Sequence, residues 1–148
     1  MGSPCRDQAK ARQSPTDTMQ IGEAAERVGL SIRTIRHYEE VGLIVPSGRT
    51  EGGFRLYTQP DLARLAVVKQ MKPLGFTLEE MRRLLSVLDA LSATASQPSS
   101  TARADLLEQL SMFHEAATQR VVALREQLHR AEGFAESLRT HLEANGRT

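Results

Sequence analysis

At 148 residues with a formal net charge of +1, the chain has length for one ordinary domain, or for a small one plus an extended element. Aromatic residues are only 4% and Trp is absent, which argues against a large globular core. Charge alone does not announce a nucleic-acid binder, because five arginines match five glutamates between Met19 and Gln59, so such binding must rest on where the arginines sit. The one cysteine, Cys5, excludes an intrachain disulfide and a Cys-rich metal cluster within the chain. No apolar run approaches the roughly 20 residues of a membrane span, and the N-terminus lacks the apolar core of a signal peptide, so a cytoplasmic location is expected.

In chain order, residues 1–18 are polar and without pattern, and are expected to be a disordered tail. Gly22 to Val28 reads as a short helix, and Gly29-Leu30 turns the chain into Ser31, a good N-cap. Ile32 and Ile35 start an apolar stripe in the next helix, which puts Arg33, Arg36, His37 and Glu40 on its outer side. Gly42 ends that helix as a C′ glycine, Pro46 forbids its resumption, and Glu51-Gly52-Gly53 is a tight turn between two short extended runs. Two short helices about a glycine-containing turn make a helix-turn-helix, whose second helix commonly enters a DNA major groove, and the hairpin adds a wing. Arg33, near the start of that second helix, is the first candidate for a base edge, since a guanidinium donates twice to guanine; Thr34 and His37 follow it. Arg36 either touches a phosphate or pairs with Glu39 or Glu40 at helical spacing.

Thr58-Gln59-Pro60-Asp61 opens a third helix with Leu62, Leu65, Ala66, Val68 and Met71 as its apolar side, broken at Pro73. Thr77-Leu78-Glu79-Glu80 is a capping box for a fourth, with Leu78, Met81, Leu84, Leu85 and Leu88 at helical spacing. The head is thus expected over 19–91. Residues 92–101 turn to Ser, Thr, Ala, Gln and Pro and read as a linker. From 102 to 144 there is no Pro, and a heptad seam runs through Leu107, His114, Val121, Leu128, Ala135 and Leu142 on one line and Leu110, Ala117, Leu124, Ala131 and Leu138 on the other, apolar except at His114. Residues 145–148 are a second tail. An amphipathic helix of this length has no partner of its own length in the chain, so its seam demands a second copy.

Several of these residues, in order, carry a resemblance to a known family: Ile21-Gly22-Glu23-Ala24-Ala25, Thr34-Ile35-Arg36-His37-Tyr38-Glu39, Gly42-Leu43-Ile44, Pro46, Arg49, Gly53-Phe54-Arg55, Tyr57, and Leu74-Gly75-Phe76-Thr77-Leu78-Glu79-Glu80. The chain resembles the MerR transcription regulators. His37 stands where that family usually has Phe or Tyr, and Phe54 where it usually has Tyr. The resemblance implies a mainly α fold, with a winged helix-turn-helix of four helices and a small β-wing followed by a long helix that forms an antiparallel coiled coil in a homodimer. It implies that Ser31, Tyr38, Arg49, Phe54, Arg55 and Tyr57 position the DNA backbone, although Tyr38 and Tyr57 equally suit a mini-core. It also implies a palindromic promoter with an overlong spacer, DNA distortion, and RNA polymerase as partner.

No nucleophile setting, phosphate-cradling loop, metal cluster or cofactor motif is evident, so an enzyme is not expected. An effector is not identified by the sequence. His114 reads as a register-setting polar residue in the seam, and Met112 and Phe113, with Leu85 and Leu88, either line a small apolar pocket or pack as core. Two alternatives stand beside the regulator: an effector-independent repressor or architectural DNA-binding protein, and an adaptor whose coiled coil captures a partner helix.

Overall fold

A computed structural model describes residues 18–93 and 96–146. The expected tail up to Asp17, with Cys5, the linker positions 94 and 95, and residues 147 and 148 lie outside the described residues. The elements are β1 (Met19–Gln20), α1 (Ile21–Val28), α2 (Ile32–Glu40), β2 (Gly48–Arg49), β3 (Arg55–Tyr57), α3 (Gln59–Met71), a 3-10 turn (Lys72–Leu74), α4 (Leu78–Ser92) and α5 (Ser100–Asn145). The chain divides into two compact units at Lys69 and Gln70, inside α3.

In the first unit, α1 stops at Gly29, whose φ of 69° is a left-handed conformation that a side chain would strain. Its amide and that of Leu30 both close on the Ala25 carbonyl, at 2.9 and 3.1 Å. The Lys69 ammonium adds a 2.8 Å bond to the Val28 carbonyl, a cation at the negative end of the helix. Ser31 caps α2 as expected, its Oγ accepting from the Thr34 amide at 3.0 Å. Gly42, at φ 76°, ends α2 by donating to the Glu39 carbonyl.

The wing turns at Gly53, whose amide bonds the Thr50 carbonyl at 2.9 Å. Its sheet has three strands rather than two. β1 pairs antiparallel with β3, Met19 opposite Tyr57, and β2 pairs on the other side of β3, Gly48 opposite Leu56. A strand of two residues has no period to betray it, so only the pairing reveals it.

Thr58 and Asp61 cap α3 reciprocally: the Thr58 amide donates to Asp61 Oδ2 at 2.9 Å, and the Ser47 hydroxyl donates to the same oxygen at 2.5 Å. Asp61 is buried, and these donors satisfy its charge in the low-dielectric setting. The core of the unit is Met19, Ala24, Ala25, Ile35, Tyr38, Leu43, Ile44, Tyr57, Leu62, Leu65 and Val68. Ile32 departs from the expected stripe, being 40% exposed at the head of α2.

In the second unit Thr77 and Glu80 form the expected capping box at the start of α4, with bonds of 3.1 and 2.8 Å. Met81 and Leu85 are buried, and so is Val87, which the periodicity did not single out, while Leu78 lies exposed. The helix α5 has 46 residues, begins at the Ser99 cap and, at 1.5 Å per residue, runs about 69 Å. The reach of α5 back to Ser100 leaves only residues 93–99 between it and α4.

Because α4 packs on the first part of α5, the two helices belong to one unit, and residues 92–101 do not mark the division between units. Leu106, Leu110, Phe113, Ala117 and Arg120 are half-buried there, whereas every described residue from Val121 onward is exposed. The Arg120 guanidinium lies 3.5 Å over the Phe76 ring and 3.7 Å from Glu80, and the Phe76 and Phe113 rings are tilted at 6.4 Å. Beside them opens a cavity of about 160 Å³ lined by Phe76, Glu80, Arg83, Gln109, Met112, Phe113 and Ala116. Of the two readings left open for these residues, Met112 and Phe113 line the cavity, whereas Leu85 and Leu88 do not, Leu85 being core.

Candidate nucleic-acid interface

The helical period of α2 turns Ile35 and Tyr38 inward and leaves Arg33, Arg36 and His37 facing solvent. Among the described residues, neither Arg33 nor Arg36 has a carboxylate within 4 Å, so the Arg36 pairing with Glu39 or Glu40 does not form. Ser31 and Thr34 are less available: their hydroxyls bond each other at 2.7 Å at the head of the helix.

On the wing, Arg49 is exposed and donates to the Gly53 carbonyl at 3.3 Å, across the hairpin. Phe54, 62% exposed, stands at the turn with its amide held by the Thr50 hydroxyl at 3.1 Å. Phe54 brings an apolar ring to this surface and no hydroxyl.

Three residues expected to touch the DNA backbone are engaged inside the protein. Tyr57 has no solvent exposure and Tyr38 is almost as enclosed, so both rings are core. Their hydroxyls are buried without a hydrogen-bond partner among the described residues, and burial pushes the Tyr38 phenol above its ordinary value. Arg55 pairs with Glu39, Nε to Oε2 at 2.6 Å, joining β3 to α2; the Arg55 side chain is 35% exposed and that of Glu39 only 8%.

Burial raises the Glu39 carboxyl above its usual range, and the guanidiniums of Arg55, Arg49 and Arg36 oppose that rise. Glu39 therefore ties the wing to the helix through Arg55. Its role escaped the sequence, since Arg55 lies across the wing turn on β3 and no helical spacing links the two.

Among the described residues, no three His, Cys, Asp or Glu side chains gather where a metal ion could be held. Nor, among them, is any helix long and apolar enough to cross a membrane.

Two family profiles match this architecture: MerR HTH family regulatory protein over residues 19–88, and MerR, DNA binding over residues 62–143. The mercuric resistance operon regulatory protein of Bacillus cereus is 49% identical over 69 residues, 47% of this chain and 52% of that one, so the chain spans about half the length of that relative. The heavy metal-dependent transcription regulator 2 of Rhizobium meliloti is 38% identical over 112 residues, covering 76% of this chain and 70% of that one. Among solved structures, HiNmlR, a MerR family regulator lacking the sensor domain and bound to promoter DNA, superposes with a TM-score of 0.63 at 26% identity, over 87% of this chain and 91% of that one. With a matching profile over more than half its residues and a relative aligned over most of both chains, this chain belongs to the MerR family of helix-turn-helix, DNA-binding transcription regulators.

Proposed function

We propose that two copies of this chain bind a palindromic promoter site in double-stranded DNA and distort it to control transcription by RNA polymerase. The observation that carries this reading is the outer face of α2, where Arg33 and Arg36 reach solvent with no carboxylate within 4 Å among the described residues. Arg33 reads a base edge from the head of the helix, where a guanidinium in the major groove has guanine as its natural partner. His37 and the exposed Ile32 flank it, the latter suited to a thymine methyl. Arg36 and Arg49 bind phosphates and set the register, with Phe54 against the backbone at the wing tip.

Dimerisation comes from α5, whose exposed Val121, Leu124, Leu128, Leu138 and Leu142 lie on the heptad seam. Two heads held by that seam engage two half-sites, and the protein contacts supply the deformation energy of bending and untwisting the duplex between them. That a relative of the same fold was solved on promoter DNA supports the choice of ligand. The one cysteine offers no thiolate cluster within these 148 residues, so the metal dependence in the name of the Rhizobium meliloti relative is not extended to this chain.

The test is selection of bound duplexes from a random pool by the purified chain, with light scattering of the complex. Enrichment of an inverted repeat carrying two chains is the expected result. Failure to enrich any sequence at low salt would sink the reading in favour of a protein-interaction adaptor.

A further inference from the structure

The cavity of about 160 Å³ beside α4 has no part in the DNA-binding reading, and every residue that lines it belongs to the second unit. We propose that it binds a small monocyclic aromatic carboxylate, with the ring among Phe76, Met112 and Phe113 and the carboxylate on the Arg83 guanidinium. The site draws on one chain alone and needs neither DNA nor a second copy.

Three observations carry it. The first is the size and chemistry of the walls. The volume of about 160 Å³ is close to the roughly 150 Å³ of an apolar cavity that takes up benzene, and well below the roughly 300–1,000 Å³ of sites for drug-sized molecules. One ring fits, and a larger ligand does not. Aromatic rings and a thioether are favourable neighbours for that ring. The wall is also held in place: Phe76, 8% exposed, carries the Arg120 guanidinium 3.5 Å over its face and meets the Phe113 ring at 6.4 Å. An ordered wall spares the ligand the cost of ordering it.

The second is charge. Among the lining residues Glu80 is the one carboxylate, and it is engaged, accepting from the Thr77 amide at 2.8 Å and lying 3.7 Å from Arg120. Arg83 lines the same cavity and, among the described residues, has no carboxylate within 4 Å. The uncompensated charge at the rim is therefore positive, on a planar fork that matches a carboxylate. Gln109 brings an amide to the rim from α5, and its N–H groups can donate to the same anion.

The third is the face of α5 that the cavity uses. Gln109, Met112 and Ala116 lie on the side of the helix away from the seam of Leu107, Leu110, His114 and Ala117. A second copy on that seam does not cover them. Met112 is 65% exposed on a face that heptad packing leaves to water, and a bound ring supplies the cover it lacks.

The test is calorimetric titration of the full chain with benzoate, and with benzamide as its uncharged counterpart, alongside NMR of methyl-labelled methionines. Benzoate is expected to bind once per chain with a dissociation constant of about a millimolar or below, and benzamide at least about tenfold more weakly. The ring current of bound benzoate should shift the Met112 methyl and leave that of Met19, in the core of the first unit, unmoved. Arg83→Gln should weaken benzoate at least about tenfold, to the level of benzamide. Ala116→Leu, which puts a branched side chain into the cavity from the surface of α5, should abolish binding of both with the circular dichroism unchanged.

No heat and no Met112 shift at high millimolar benzoate would overturn the proposal. So would binding that survives Ala116→Leu, since the ring would then sit elsewhere. Equal affinities for benzoate and benzamide, or an undiminished affinity in Arg83→Gln, would overturn it by removing the carboxylate from Arg83. None of these outcomes touches the DNA reading, which stands or falls on the selection of duplexes.

Discussion

In α2, nine residues bury Ile35 and Tyr38 almost completely and turn Arg33, Arg36 and His37 to solvent; in α5, 46 residues bury none. The short helix is held by a side-chain cap, a C′ glycine and an ion pair to the wing, and it offers charge outward. The long helix offers leucines outward from Leu124 to Leu142. Isolated short helices are marginal in water, so α2 exists because tertiary packing supports it. An exposed apolar stripe of this length marks a surface made to be covered. One helix is finished within the chain and turns its charge to solvent, and the other leaves an apolar stripe that, on the proposed function, a second copy covers.

The sharpest way to break this contrast is to truncate an apolar residue in each helix. Ile35→Ala should cost about 2–5 kcal/mol in chemical denaturation at any protein concentration, because it opens a cavity in a closed core. Leu128→Ala should leave the monomer untouched and lower the melting temperature only where the chain is dimeric, since its burial is supplied by mass action. Equal, concentration-independent losses in both variants would mean that α5 is stabilised without a second copy.

Next in size is the tie between helix and wing. Arg55→Ala leaves the Glu39 carboxylate enclosed without its partner and should destabilise the first unit by about 3 kcal/mol. Adding Glu39→Gln should return part of that loss, whereas a role for Arg55 at a phosphate alone would leave urea unfolding unchanged. Arg33→Ala, by contrast, should leave folding intact, cost about 1–3 kcal/mol of DNA affinity and relax preference at one base position. Titrations against operator variants check it, and an unchanged preference would remove Arg33 from base readout.

The smallest effects concern the α4 cap. Thr77→Ala should cost about 1 kcal/mol in thermal unfolding. The Thr77 amide, with help from Arg120, holds the Glu80 carboxyl below its usual range against a smaller opposing effect of burial. A lowered folded value means a contribution present above the ordinary carboxylate range and lost as pH falls through the lowered one. Glu80→Gln should therefore flatten the acid limb of stability. Glu39 has the opposite sign: raised by burial, it works against the folded state as pH rises through its raised value.

Much of the fold was legible before any coordinates. The caps at Ser31 and Thr77, the stop at Gly42, the wing turn before Phe54 and the break at Pro73 all depend on neighbours within a few residues, and all appear as expected. The outer face of α2 was equally legible, because the helical period sorts Arg33, Arg36 and His37 from Ile35. Less could be read of the wing. Arg55 and Tyr57, two residues apart, share one face of β3, and how each is engaged depends on Glu39 and on the core.

The sequence by itself determined where helices begin and end, which arginines face outward on α2, and that α5 carries more apolar surface than one helix can hide. Those properties are local, written in dihedral preference, capping chemistry and period. Only the tertiary structure decided that Tyr38 and Tyr57 are core, that Arg55 belongs to Glu39, that Met19–Gln20 completes a sheet, and that α4 packs on one side of the near half of α5 while a cavity of about 160 Å³ opens beside it. Each of those turns on residues far apart in the chain meeting in a low-dielectric interior, where burial and pairing outweigh any preference the local sequence expresses.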